Sequence, residues 1–131
     1  MKVKSIMIVD DDSTSNFVTC EVIKKINYTE NIIIKNTGRQ ALDYIKNSCL
    51  PNGEFPDLIF VDLKMPEMDG FEFLDKFEML CEEARYKIAV VILTGSRRAD
   101  DIVKLRERGR YYLLNKPLTV EMLEDIHHRF F

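Results

Sequence analysis

The feature that most constrains this chain is an alternation of two periods: short apolar runs rich in β-branched residues, each followed by a longer segment whose apolar residues recur at helical spacing. The runs are Ser5 to Val9, Ile32 to Ile34, Leu58 to Val61, Ile88 to Leu93 and Tyr111 to Leu114. They are almost continuously apolar, which marks strands covered on both faces. Between them Phe17, Val18, Val22, Ile23 and Ile26 recur at helical spacing, as do Ala41, Leu42 and Ile45 after Gly38, and Phe71, Leu74, Phe77 and Leu80 after Gly70. Ile102 with Leu105, then Met122, Leu123 and Ile126, mark two more helices. Such alternation predicts βαβ crossovers, a parallel sheet and helices on both of its faces.

The fold class expected is therefore α/β, doubly wound, with five parallel strands in the common flavodoxin-like order 2-1-3-4-5. At 131 residues the length suits one domain, residues 1–131. Pro51-Asn52-Gly53, Pro56, Pro66 and Asp69-Gly70 then read as loops inside it, not as linkers. A 46% hydrophobic share is enough for a core. The net charge of -3 gives no electrostatic ground for nucleic acid or an anionic membrane as partner. Cys20, Cys49 and Cys81 are widely spaced and form no CxxC pair, so neither a disulfide framework nor a zinc site is suggested, and a reducing cytoplasm fits. The apolar run near Met1 leads straight into Asp10 without a signal-peptide pattern, and no run approaches the ~20 apolar residues of a membrane span.

In such a sheet functional groups belong at the carboxyl ends of the strands. The first strand ends in Asp10-Asp11-Asp12, the third in Asp62, the fourth in Thr94-Gly95-Ser96 and the fifth in Lys116-Pro117. With the first and third strands adjacent, Asp10 and Asp11 approach Asp62, and three carboxylates converge. Such a cluster stays ionised only if a cation intervenes, because each charge raises the pKa of the others. A hard divalent ion with oxygen ligands, Mg²⁺, is the natural answer. Lys116 adds a second positive centre beside Asp62, a pocket suited to an incoming phosphoryl group with Asp62 as nucleophile. Thr94 is expected to donate to a phosphoryl oxygen once that group is present, coupling the site to the later helices.

These residues resemble the receiver domain of two-component response regulators, in its stand-alone form like the chemotaxis receiver. Ile8-Val9-Asp10-Asp11-Asp12-Ser13 resembles its acidic-pair segment, Val61-Asp62-Leu63-Lys64-Met65-Pro66-Glu67-Met68-Asp69-Gly70 its phosphoacceptor loop, Ile92-Leu93-Thr94-Gly95 its switch-threonine strand, and Leu114-Asn115-Lys116-Pro117 its lysine-proline end. The resemblance implies that Asp62 is the phosphoacceptor and that Asp10, Asp11, Asp62 and the main-chain carbonyl of Lys64 hold Mg²⁺. Thr94 and Lys116 would contact the phosphoryl group, and the Lys116-Pro117 bond would be cis. It also implies a histidine kinase or a histidine phosphotransfer protein as donor, and an unnamed downstream protein as listener, with dimerisation left open. Catalysis would be confined to self-phosphorylation and dephosphorylation. Where the family commonly has Tyr or Phe three residues before its lysine, this chain has Leu113, with Tyr112 one step earlier. Lys64 and Ser96, each two residues after a site residue, are candidates for tuning the lifetime of the phosphoryl group.

Blander readings compete. Asp12 or Ser13 suits a helix N-cap, Met65 and Met68 suit packing, and His127 and His128 suit a solvated face. The segment from Arg97 to Arg110 carries six basic against three acidic residues, the pattern of a solvated helix face or of an interaction surface. Three other functions compete with the receiver reading. A degenerate receiver that binds a partner without being phosphorylated does not need the full acidic set. A phosphatase-like enzyme typically has a second Asp where Lys64 stands. A flavodoxin-like electron carrier would bring FMN phosphate against three successive aspartates.

Overall fold

The computed structural model describes residues 1–96, 98–109 and 111–131, so the two ends of the basic segment, Arg97 and Arg110, lie outside the described residues. The strands are β1 (Ile6–Val9), β2 (Ile32–Lys35), β3 (Leu58–Val61), β4 (Ala89–Thr94) and β5 (Tyr112–Asn115), and the helices α1 (Ser13–Lys25), α2 (Gly38–Ser48), α3 (Gly70–Phe77), α4 (Glu82–Lys87), α5 (Ala99–Arg108) and α6 (Val120–Phe130). All pairings are parallel, and the sheet order is β2-β1-β3-β4-β5. The five strands and their order are those the sequence pattern predicts.

Period-two geometry splits the core into two layers. Met7 and Val9, Ile59 and Val61, Val90 and Ile92 face a cluster built with Ala41, Ile45, Phe73, Leu74, Phe77, Ala84 and Leu105. Their neighbours Ile6, Ile8, Leu58, Phe60, Val91 and Leu93 face the other side, against Cys20, Ile23, Leu123 and Ile126. Thus α1 and α6 cover one face, and α2 to α5 the other. Leu113 packs with the first cluster and Tyr112 with the second, so the two residues do lie on opposite faces.

Local chemistry sets the helix starts. The side chains of Asp12, Thr37, Asp69 and Thr119 each accept from backbone N–H groups of the following turn, which satisfies donors that a helix cannot satisfy itself. Gly70 opens α3 in a crowded place: a Cβ there would lie 2.8 Å from the Asp62 carbonyl oxygen and 2.8 Å from the Leu63 Cα. Only a residue without a side chain lets α3 begin against the end of β3 at Asp62.

Four expectations are corrected. The pattern predicts one helix from Phe71 to Leu80, whereas α3 stops at Phe77 and the short α4 follows. Six residues are too few to show periodicity; Glu82 and Glu83 in the first turn with Arg85 and Lys87 in the last complement its dipole. The cysteine spacing suggests no disulfide, yet Cys49 and Cys81 are bonded, with Cα atoms 6.0 Å apart. Packing of α2 beside the start of α4 brings them together, and chain separation does not reveal it. The cysteines therefore no longer argue for a reducing compartment. His127 is not simply solvated, since its Nδ1 lies 3.0 Å from the hydroxyl of the fully buried Tyr28, whereas His128 is exposed. Met65 is buried in the core and Met68 packs against it. Among the described residues no helix is long and apolar enough to cross a membrane.

Candidate functional site

The register builds the site. Val9 pairs with Val61, and the Asp62 amide donates to the Val9 carbonyl at 3.1 Å, so Asp10 and Asp62 leave adjacent strands at the same level. Thr94 pairs with Asn115, and the Lys116 amide donates to the Thr94 carbonyl at 2.9 Å. Lys116 therefore turns back over the same end of the sheet, across a cis bond to Pro117.

Its ammonium donates to Oδ2 of Asp10 at 2.6 Å and to Oδ2 of Asp62 at 2.8 Å. Asp10 is 3% exposed and Asp62 8%, so two carboxylates with little access to water share one cation. Burial pulls the Lys116 pKa down, but the hydrogen bonds and charges of Asp10 and Asp62 outweigh it and hold the ammonium above the ordinary lysine value. The other oxygen of Asp62, Oδ1, accepts from the Thr94 hydroxyl at 2.8 Å and from the Lys64 amide at 3.3 Å. Thr94 thus already contacts Asp62 in the unmodified chain, where the sequence reading supplies it a partner only after modification.

Asp11 is not gathered in. It is exposed, and among the described residues no three His, Cys, Asp or Glu side chains surround one point. The expected three-carboxylate cluster is therefore a pair, Asp10 and Asp62, with Asp11 at the rim, because successive residues leaving a strand point to opposite sides. Asp12 is occupied as the cap of α1, accepting from the Thr14 amide at 3.0 Å, while its own amide donates to Oδ1 of Asp10 at 3.0 Å. The donor set fits Mg²⁺: all its candidate ligands are oxygens, and two buried carboxylates against one ammonium leave negative charge to neutralise.

Sequence reasoning missed Asp101. It is 8% exposed, accepts from the Ser96 hydroxyl at 2.9 Å and lies 3.5 Å from the Lys64 ammonium. Burial alone would raise its pKa; the hydrogen bond from Ser96 and the charge of Lys64 reverse this and hold it below the ordinary carboxylate value. Lys64 and Ser96, read separately from their spacing, thus meet on one side chain. The only sequence signal is two acidic residues in the first turn of α5.

A family model described as the response regulator receiver domain matches residues 6–128. The chain belongs to the response regulator receiver domain family. The receiver is 31% identical over 122 residues to the sporulation initiation phosphotransferase F of Bacillus subtilis, covering 93% of this chain and 89% of that protein. It is likewise 31% identical over 122 residues to hybrid signal transduction histidine kinase H of Dictyostelium discoideum, but covers only 8% of that protein. Among solved structures, a two component response regulator from Cytophaga hutchinsonii superposes with a TM-score of 0.88 at 27% identity, covering 99% of this chain and 98% of that one. The receiver is a signalling module of two-component type, with relatives that stand alone or lie within kinases.

Proposed function

We propose that residues 1–131 act as one receiver unit that accepts a phosphoryl group on Asp62 in the presence of Mg²⁺ and then presents an altered surface to another protein. The observation that carries this reading is the position of the Lys116 ammonium, 2.8 Å from Asp62 and 2.6 Å from Asp10, with the Thr94 hydroxyl on the other Asp62 oxygen. An Asp62 oxygen attacks the phosphorus of a phosphohistidine on a kinase or phosphotransfer protein. The P–O bond forms as the P–N bond breaks, and the electron pair leaves on the imidazole nitrogen, which takes up a proton. Water later attacks the phosphorus, the electron pair of the broken P–O bond returns to Asp62, and inorganic phosphate leaves.

Asp10, Asp62 and the Lys64 carbonyl are the residues that would hold Mg²⁺, with Asp11 beside them at the rim of the same strand end; the ion supplies positive charge to the phosphoryl oxygens. Lys116 supports transfer from the other side, because a cation already aimed at Asp62 needs no reorganisation when charge develops there. Thr94 orients the accepting carboxylate and is placed to follow the group once it arrives. The receiver has no turnover role beyond gaining and losing this group, and output passes through a protein partner in the cytoplasm.

Incubation with Mg²⁺ and acetyl phosphate, read by intact mass, tests the reading. The expected result is the gain of one phosphoryl group in the native chain and none in D62N or in excess chelator. A folded native chain that gains nothing would point instead to a partner-binding module that is never phosphorylated.

A further inference from the structure

Around Asp62 the polar contacts close into a ring that no single motif contains. Asp62 Oδ1 accepts from the Thr94 hydroxyl at 2.8 Å; Thr94 Oγ1 accepts from the Ser96 amide at 3.1 Å. The Ser96 hydroxyl donates to Asp101 Oδ2 at 2.9 Å, and the same oxygen lies 3.5 Å from the Lys64 ammonium. The Lys64 amide returns to Asp62 Oδ1 at 3.3 Å. The ring joins the loops after β3 and β4 to the first turn of α5, which carries Asp101.

Its members are unequally held. The Asp101 side chain is 11% exposed and that of Lys64 is 56% exposed, so the cation is the solvent-facing partner and the carboxylate the enclosed one. A pair with one member in water is weak. A phosphoryl group brings about two negative charges, and it would arrive on the residue whose amide neighbour is Lys64. The doubly charged group outcompetes the single carboxylate for the ammonium. Asp101 is then left with the Ser96 hydroxyl and the charge of Arg98 but without its ion-pair partner, a less favourable state for a carboxylate shielded from water.

We propose that Asp101 is the positioning residue for Lys64: it holds the ammonium away from Asp62 in the unmodified receiver and surrenders it on phosphorylation, which releases the first turn of α5. The inference rests on the phosphoacceptor reading above and adds to it a route from Asp62 to a surface element. It runs alongside Thr94 and needs no aromatic residue at Leu113. It also gives a direction for the lifetime: an ammonium resting on the phosphoryl oxygens stabilises the charged ground state and obstructs an incoming water, so Lys64 slows hydrolysis and Asp101 limits how fully it does so.

The test is the decay rate of the phosphorylated chain, prepared with Mg²⁺ and acetyl phosphate, in the native protein, D101N, K64M and the double variant. D101N keeps an acceptor for Ser96 and removes only the charge; K64M alters an exposed side chain, so one folded background is secured even if D101N is weakened. The expected half-life is about two- to fivefold longer in D101N and shorter by a similar factor in K64M, the span open to an ion pair with one exposed member. In the K64M background D101N should have no further effect. A loss of packing alone would not disappear when Lys64 is removed. Amide exchange in the first turn of α5 should rise on phosphorylation of the native chain and be already raised in unmodified D101N. Additive effects in the double variant, or first-turn exchange that phosphorylation leaves unchanged, overturn this inference while the phosphoacceptor reading stands. Absence of any mass gain overturns both.

Discussion

Lys116 is the residue through which the site is held together, because one ammonium serves two carboxylates. The two ways of breaking that arrangement are not equivalent. In D62N the ammonium still faces Asp10, and the new amide can still accept from Thr94. In K116M two buried carboxylates face each other with no cation, the more costly outcome. We expect K116M to lose about 1–3 kcal/mol of unfolding free energy and D62N less than about 1 kcal/mol, measured by urea denaturation at neutral pH without added metal. The pH dependence has a definite sign. Lys116 has a folded-state pKa raised above its ordinary 10.5, so its stabilising contribution is complete below that value and disappears as pH rises through the folded-state one. The alkaline limb of the stability curve should flatten in K116M. Asp101 works in reverse: its pKa is lowered from 3.8, so its contribution is present above that value and is lost as pH falls through the lower one. D101N should flatten the acid limb.

Among the elements, the bond between Cys49 and Cys81 is the strongest single tie. It joins the C-cap of α2 to the N-cap of α4 and closes a loop with a sequence separation of 32 that contains β3, Asp62 and α3. Closing a loop of that size restricts the unfolded chain by an amount worth about 3–4 kcal/mol in the chain-entropy description. Addition of a reductant, or the C81S substitution, should lower the urea midpoint accordingly without changing the proposed mass gain at Asp62, since the bond lies at the C-terminal end of α2 and not at the end of the sheet that carries Asp62. An identical midpoint with and without reductant would show that the bond contributes nothing. At the same scale, α4 has no side-chain cap hydrogen bond and only six residues, so the disulfide at Cys81 is what anchors its start.

On the proposed function, Mg²⁺ binding would be coupled to the stability of the whole molecule, because the proposed oxygen ligands come together only when β1 and β3 pair. A ligand that binds the folded state alone stabilises it by a term that grows with the logarithm of its concentration, about 2.7 kcal/mol at one hundred times the dissociation constant. Raising Mg²⁺ should therefore lift the unfolding temperature of the native chain steadily and leave that of D10N and D62N nearly unmoved; an equal rise in all three would place the ion elsewhere. The class of the sheet was legible in the sequence because it rests on local signals, and its order is the common one for that class. Apolar runs such as Leu58 to Val61 repeat a period that only a doubly covered strand satisfies. Asp10, Asp62 and Thr94 sit one step past such runs and Lys116 two steps past, where the crossover topology delivers them to one end.

What escaped had no local signature. Nothing near Asp101 distinguishes it from Asp100 until α5 packs so that one carboxylate is buried against Ser96 and Lys64 and the other is exposed. Cys49 and Cys81, or Tyr28 and His127, become partners only because helices from distant parts of the chain settle side by side. Asp10 and Asp11 read alike in one dimension, and the direction in which the backbone leaves β1 makes one a buried partner of Lys116 and the other a residue of the rim. The sequence by itself determined the five strands, the doubly wound class and the end at which the chemistry gathers, since periodicity and crossover handedness act along the chain. Tertiary structure alone decided which carboxylates share a cation and which side chains close the ring around Asp62, since those depend on distances between atoms that the chain does not hold together covalently.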